Sequence, residues 1–222
     1  ASHPDINDAA RPRANADCQQ LFRKSESQSF FLTGGTALSA YYLYHRYSED
    51  LDLFTLDKEA LHPISLAVKE IADELKLKLT VVRTLETLHQ YTLEEAGKPE
   101  ILKIDCVREI PVQFGEIGKQ GVVRVDSLEN IAVNKATTIL SRTEIKDFVD
   151  LYFILQKGFV LEKLIEKGKQ KDLGLTEFYF AGQLLNVKNF HQLPRMILPL
   201  ELSALQKFFI EVADRLFDKI KP

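Results

Sequence analysis

Two adjacent glycines and two closely spaced aspartates are the residues of this sequence whose types and spacing suggest chemistry. Gly34 and Gly35 directly follow an apolar run and precede a run of helix-forming residues. A glycine backbone lets a ligand approach closely, and the N–H groups of a first helical turn attract an anion such as phosphate. Asp50 and Asp52 stand one residue apart in a second apolar run. Neighbouring carboxylates repel each other, and a hard cation such as magnesium between them relieves that repulsion.

Together, the glycine pair and the aspartate pair supply what a metal-bound nucleoside triphosphate requires. The hydroxyl of Thr36 would add a donor to the phosphates, while magnesium held by Asp50 and Asp52 would neutralise and orient them. A second magnesium ion, shared with Asp105 on a later strand, would lower the pKa of an attacking hydroxyl and stabilise displacement at phosphorus. Each pair also has a plainer interpretation, because the glycines could form a tight turn and the aspartates could be solvated charges on an edge strand.

The surrounding patterns predict the elements that position these residues. In 50–54, alternation places Asp50 and Asp52 on one face of a strand, and in 100–107 it turns Asp105 away from the apolar face. A Gly-containing loop over 115–121 then leads into a series of helices. The predicted strands are 30–32, 50–54, 77–82, 87–95 and 100–107, and the predicted helices are 16–26, 36–46, 63–75, 127–140, 144–157, 160–170, 175–186 and 200–219.

The change of character near 122–127 predicts two domains, 1–125 and 126–222. The expected fold class is α+β, with a short mixed sheet flanked by helices in the first domain and an α-helical second domain. The net charge of −3 is uneven, since residues 1–111 carry 13 basic and 18 acidic residues and residues 112–222 carry 16 and 14. An acidic half of this kind suits a metal site, and the second half tolerates anions.

Composition excludes several classes of protein. With 45% hydrophobic and 27% charged residues, the chain has the composition of a soluble globular protein, and no apolar run approaches the ~20 residues that cross a bilayer. No secretory pattern is seen at the start, so we expect a cytoplasmic protein without a membrane partner. The two cysteines are predicted to be reduced thiols, and the five histidines have no zinc spacing.

Other charged residues have two interpretations each. Arg46 lies just before the aspartate pair, where its guanidinium could reach phosphate or form an ion pair with Glu49 or Asp50. His45 is interpreted as a structural or orienting residue. A basic stretch on a predicted C-terminal helix could meet an RNA backbone or could be a solvated face, and it contains Lys163, Lys167, Lys169 and Lys171.

The order of glycine pair, Asp-x-Asp and later strand aspartate resembles the nucleotidyltransferase (polymerase β-like) superfamily. More narrowly, "LTGGTALSAYYLYHRYSEDLDLF" is similar to the AbiEii/AbiGii abortive-infection toxin branch. A second block, "NKATTILSRTEIKDFVDLYFIL", resembles the helical motif of that branch, and the resemblance covers roughly 28–155. The matching positions are Gly34, Gly35, Thr36, Ala37, Leu38, His45, Arg46, Ser48, Asp50, Asp52 and Phe54, then Lys135, Arg142, Lys146, Asp147 and Asp150.

This resemblance implies a nucleotidyltransferase-like fold and a magnesium-dependent transfer of a nucleoside monophosphate from a nucleoside triphosphate to a hydroxyl acceptor. The implied acceptor is RNA, with tRNA as a candidate, and the implied role is that of a toxin countered by an antitoxin. A lysine stands where the branch usually has arginine before Asp147, so the bidentate guanidinium contact is missing there. The implied catalytic residues are Asp50, Asp52, Asp105 and Asp147, with the first three binding two Mg²⁺ ions; the implied nucleotide-binding residues are Gly34, Gly35, Thr36, Arg46, Ser48, Lys135, Arg142 and Lys146.

Two alternatives remain open at this point. The chain could be a non-catalytic nucleotide- or RNA-binding regulatory protein on the same fold. It could also be a nucleotidyltransferase that modifies a small molecule or a protein. A basic surface would favour RNA, and a closed acidic pocket would favour a small cationic acceptor.

Overall fold

The computed structural model describes residues 12–220, which form two compact units. The described part of the first unit is 12–42 with Tyr47–Ser127, and that of the second is Leu43–Arg46 with 128–220. No helix in the described range is both long enough and apolar enough to span a bilayer.

A seven-stranded mixed sheet forms the first unit, with strand order β3-β4-β5-β2-β1-β7-β6. Strand β1 is parallel to β7 and β2 is parallel to β5, while the other neighbours are antiparallel. The strands are β1 Phe30–Thr33, β2 Leu51–Thr55, β3 Lys78–Thr84, β4 Leu88–Glu94, β5 Ile101–Arg108, β6 Gly118–Gln120 and β7 Val123–Val125; the helices are α1 Pro12–Leu21, α2 Gly34–Ala37 and α3 Leu61–Glu74.

Helix α3 covers one face of this sheet and packs against β3, β4 and β5. One face of β2 and β5 is buried, as the alternating pattern predicts, while Asp52 and Asp105 on the opposite face are half-buried. The buried residues are Leu51, Leu53, Leu102, Ile104 and Cys106. Strand β1 is buried at every position, because it lies between β2 and β7. The expected α+β class, with a mixed sheet and flanking helices, is confirmed.

Three sequence-based expectations about local structure are wrong. Strand β2 begins at Leu51, so Asp50 lies just before the strand and not on the same strand face as Asp52. The helix predicted over 36–46 is a short α-helix that changes to a π-helical turn over Leu38–Leu43, and Tyr44 then has a φ of +52°. His45 and Arg46 therefore lie beyond the helix in extended chain. The loop predicted over 115–121 contains strand β6, which pairs with β7 across a turn where Gly121 has a φ of +62°.

Helices make up the second unit. They are α4 Leu128–Ser141, α5 Ile145–Gln156, α6 Leu161–Gly168, α7 Glu177–Leu184 and α8 Leu202–Ile220. Phe148, Phe180 and Phe209 are fully buried in its core, and an apolar stripe of α8 faces that core at Leu205, Phe209, Val212 and Leu216. The five helices predicted for this half are confirmed. The backbone of His45 joins this unit, since its carbonyl accepts from the N–H groups of Ile197 and Leu198.

Candidate active site

A row of polar side chains crosses four neighbouring strands of the first unit. Asp52 on β2 has two register partners, Thr33 on β1 and Asp105 on β5. Asp105 is in turn in register with Gln90 on β4. The amide of Gln90 donates to Asp105 Oδ1 at 3.1 Å. We call these four residues the acidic row. Neighbouring strands are about 4.8 Å apart, so the two carboxylates of the row lie close together on the face opposite α3.

The glycine pair lies directly against this row. Gly34 has a φ of +66°, and a Cβ atom placed on it would come within 2.0 Å of Asp52 Oδ2. Any larger residue would therefore displace the carboxylate and also strain the backbone. Gly34 is needed at this position because the chain turns in the left-handed region while Asp52 occupies the space of a side chain. Gly35, the next residue, is buried.

Two further residues predicted to bind nucleotide connect the start of β2 to the glycine turn. The Thr36 hydroxyl is buried, lies 2.9 Å from Ser48 Oγ, and donates to the backbone carbonyl of Asp50. These contacts fix the chain just before β2. The structure therefore places Thr36 and Ser48 beside Asp50, with their hydroxyls in contact with each other.

Asp126, which directly follows β7, is a buried carboxylate that sequence reasoning did not single out. Its Oδ2 accepts from the Thr33 hydroxyl at 2.6 Å, and its Oδ1 accepts from the Gln113 amide at 2.6 Å and from the backbone N–H of Ser127 at 2.8 Å. These bonds hold Thr33 at the end of the acidic row. The one sequence signal for Asp126 was its position just before a predicted helix, where an aspartate often accepts hydrogen bonds from the first backbone N–H groups of the helix.

The donor set of the acidic row suits a hard divalent cation, because carboxylate oxygens are the ligands that magnesium and calcium prefer. Asp52 and Asp105 are in register, and like charges in such positions destabilise a sheet unless something compensates them. Within residues 12–220, no three or more His, Cys, Asp and Glu side chains are grouped as metal ligands. A metal role for Asp50, Asp52 and Asp105 thus stays a prediction.

The second group of predicted site residues lies in the second unit and surrounds Asp150. Arg46 donates to both carboxylate oxygens of Asp150, from Nε at 2.6 Å and from Nη2 at 2.8 Å. The ammonium of Lys135 lies 2.7 Å from Asp150 Oδ2 and donates to Asp147 Oδ1 at 2.8 Å. Arg142 completes the group with contacts of 2.8 and 3.1 Å to Asp147.

We call this group, together with His45, the buried ion cluster. Asp147, Asp150 and His45 are fully buried, and Arg46 and Lys135 are nearly so. Burial opposes ionisation of Asp150, but the cations around it prevail and hold its pKa well below the usual range. The pKa of Asp147 is lowered for the same reason, chiefly by Lys135. Both carboxylates are therefore ionised at neutral pH, and each contacts two cations.

His45 is neutral in this cluster. Burial lowers its pKa, and the hydrogen bond to Asp150 only partly offsets that effect. Its Nε2 lies 2.7 Å from Asp150 Oδ1. Because an ionised carboxylate can only accept, Nε2 carries the proton and donates it. Its Nδ1 is buried and has no hydrogen-bond partner among the described residues.

The predicted site residues thus form two groups, each within one unit. Gly34, Gly35, Thr36, Ser48, Asp50, Asp52 and Asp105 belong to the first unit, and Arg46, Lys135, Arg142 and Asp147 form part of the buried ion cluster. Lys146 lies instead with Glu144, at 3.1 Å. Asp150, at the centre of the cluster, was noted only as part of a motif. One helical turn separates it from Asp147, and that spacing was the available signal.

Comparisons with known proteins identify a family and a related sequence. A family model described as nucleotidyl transferase AbiEii toxin, type IV TA system, matches residues 19–207. An uncharacterized protein of Aquifex aeolicus (strain VF5), aq_aa25, is 30% identical over 148 residues, which are 62% of this chain and 65% of that protein. The alignment thus spans somewhat less than two thirds of that relative's length.

Solved structures share the fold. A candidate nucleotidyltransferase of H. pylori superposes with a TM-score of 0.59 at 18% identity, covering 94% of each chain. MenT4, a nucleotidyltransferase toxin from Mycobacterium tuberculosis H37Rv, superposes with a TM-score of 0.56 at 15% identity, covering 96% of this chain and 88% of that one. At these identities the likeness concerns the fold alone.

Proposed function

Because the chain belongs to the AbiEii family of nucleotidyl transferase toxins, we propose that it transfers a nucleoside monophosphate from a nucleoside triphosphate to a hydroxyl group of RNA. The observation that carries this proposal is the acidic row beside Gly34. Asp52 on β2 and Asp105 on β5 are in register, and the carboxylate of Asp52 fills the space where a side chain at Gly34 would lie. Backbone close to a carboxylate pair is a setting in which metal-bound phosphates can be held.

In this proposal Asp52 and Asp105 hold magnesium, and Asp50 completes the ligand set from the chain just before β2. The bound ions would neutralise the triphosphate and favour deprotonation of the attacking hydroxyl. The chain's own contribution is positional. Thr36 and Ser48 fix the segment that carries Asp50, and Gln90 orients Asp105 through its amide.

For the second unit we propose, from the chain's membership of the family, that Lys135 and Arg142 of the buried ion cluster bind nucleotide phosphate. Lys135 and Arg142 share Asp147, so that carboxylate fixes the direction of both cations. About half of the Arg142 side chain is exposed, at 45%, against 7% for Lys135. Arg142 is therefore the cation of this pair that we expect to contact phosphate directly, while Lys135 and Asp147 support it. The family description also implies a cognate antitoxin as a partner.

Incubation with each radiolabelled nucleoside triphosphate, magnesium and total tRNA tests the proposal. Label should enter RNA with the native protein and fall at least a hundredfold with Asp52→Asn, which keeps the side chain's size and removes its charge. Asp73→Asn is the matched control, because Asp73 is an exposed aspartate of α3 in the same unit. Undiminished labelling with Asp52→Asn would refute the site, and label in protein or in a small molecule instead would refute the RNA acceptor.

A further inference from the structure

A basic pocket lies in the first unit, away from the acidic row. It has a volume of about 360 Å³, which is within the range of sites that hold a small ligand. Three cationic side chains line it, Arg23, Lys119 and Arg124, together with the apolar residues Phe22, Ile117 and Val122. None of the residues that line this pocket is acidic.

Among residues 12–220, no acidic side chain pairs with the cations of this pocket. In the part of the chain that the structure describes, none of the three forms an ion pair; Arg124 donates only to the backbone carbonyl of Gln28, at 2.5 Å. By contrast, neighbouring Lys24 contacts both Glu70 and Glu74. Three unpaired cations around one cavity stand out in a chain whose net charge is −3.

The hairpin β6–β7 places two of these cations directly opposite each other. Lys119 and Arg124 are register partners on adjacent antiparallel strands. Like charges in that position repel and destabilise the pair of strands. An anion in the pocket would turn this repulsion into attraction, and arginine in particular offers paired donors to a phosphate.

From this arrangement we infer that the pocket binds a phosphodiester of a single-stranded RNA, and this inference rests on the proposed RNA acceptor. A triphosphate would arrive with magnesium, and the pocket lacks the carboxylates that such an ion needs. A phosphodiester carries one charge per nucleotide and needs only cations. The apolar residues of the pocket suit a sugar or base between two phosphates.

The position of the pocket fits a strand that continues towards the acidic row. Arg124 lies two residues before Asp126, about 7 Å along extended chain, and Asp126 bonds to Thr33 at the end of that row. Arg23, Lys119 and Val122 are exposed, so the pocket opens to solvent. An RNA strand can therefore lie in it without having to end there.

RNA affinity, measured by fluorescence anisotropy with a labelled single-stranded RNA oligonucleotide of mixed sequence, tests this inference. All proteins carry Asp52→Asn, so that binding is read without turnover and independently of whether transfer occurs. Replacing Arg23 and Lys119 with alanine should raise Kd about tenfold, and the slope of log K against log salt should fall by about 1.4, which corresponds to two phosphates of a single strand. The variant Arg23→Lys with Lys119→Arg should bind normally, since it keeps both charges.

The matched control is Lys69→Ala with Arg83→Ala, which removes one lysine and one arginine from exposed positions of the same unit. An equal loss of affinity in this control and in the pocket variant would overturn the inference, because net charge alone would then explain binding. A competition with an equimolar nucleoside triphosphate and magnesium gives a second test. The inference would also be overturned if the triphosphate displaced all of the RNA from the protein with an intact pocket but not from the Arg23 and Lys119 variant. A failure of NTP transfer with RNA binding as expected would count against the proposed function and not against the pocket.

Discussion

Asp52 and Asp105 face each other on neighbouring strands and are half-buried, whereas Asp147 and Asp150 are fully buried and each contacts two cations. In each pair the two carboxylates are neighbours: Asp147 and Asp150 are one turn apart on α5, and Asp52 and Asp105 lie on adjacent strands. In the second unit, however, the folded chain itself provides the compensating charge. In the first unit the two like charges lie in register on an accessible face.

The two pairs thus differ in what compensates their charge: protein cations contact Asp147 and Asp150, whereas Asp52 and Asp105 are the carboxylates proposed to hold magnesium. A buried carboxylate that neutralises two cations becomes costly to remove, because the cations would stay behind without a partner. A carboxylate in register with another carboxylate is repelled by it, so its removal takes away an unfavourable interaction together with the contacts that the carboxylate makes. The same substitution should consequently cost much more stability in the second unit than in the first.

The largest expected effect is on stability and concerns Asp150. Asp150→Ala should lower the free energy of unfolding by about 3–5 kcal/mol, because it leaves Arg46 and Lys135 buried without their shared carboxylate. Asp52→Ala should change the free energy of unfolding by less than about 0.5 kcal/mol. Urea unfolding followed by far-UV circular dichroism measures both. Equal stability losses in the two variants would contradict the assignment of different roles.

A smaller effect on the free energy of unfolding is expected at Gly34, because the Asp52 carboxylate occupies the space beside it. Gly34→Ala should cost about 2–3 kcal/mol, of which about 1–2 kcal/mol is the strain of an L-residue at positive φ and the rest comes from displacing the Asp52 carboxylate. In an Asp52→Ala background the second part should vanish, since Oδ2 and Cγ are absent. A double-mutant cycle from urea unfolding measures this coupling. Additive losses would show that the carboxylate does not fill the space beside Gly34.

The sequence predicts the acidic row well, for a simple reason. Alternation over β2 and β5 places Asp52 and Asp105 opposite the buried residues, and a period of two needs no information from outside each strand. The same alternation over β4 could have placed Gln90 beside Asp105, but nothing local indicated which strands are neighbours. The apolar periods of the five C-terminal helices were equally readable from the sequence.

The features that the sequence could not predict depend on an unusual backbone conformation, on very short strands, or on contacts between residues far apart in the sequence. A run of helix-forming residues gives no sign that Tyr44 adopts a positive φ and ends the helix early. Strands of three residues, such as β6 and β7, are too short for a periodic signal. The contacts of Arg46 and His45 with Asp150 join residues more than a hundred positions apart, and only the folded chain brings them together.

The smallest expected effect is a pH dependence of stability that distinguishes the two units. Burial lowers the pKa of both His45 in the second unit and His89 in the first. The unfolded chain then binds a proton near pH 6.5 while the folded chain does not, so the free energy of unfolding falls as the pH drops below that value. Each histidine can contribute up to about 1.4 kcal/mol per pH unit.

His45→Gln should reduce this slope, and its amide can still donate to Asp150. His89→Gln should reduce it too, because burial also lowers the pKa of His89 and the nearby His62 adds to that effect. Urea unfolding at several pH values between about 5 and 7 measures both slopes. If the slope of His45→Gln equalled that of the native protein, the folded and unfolded states would have to bind the His45 proton equally well, which would contradict the lowered pKa of His45 in the buried ion cluster.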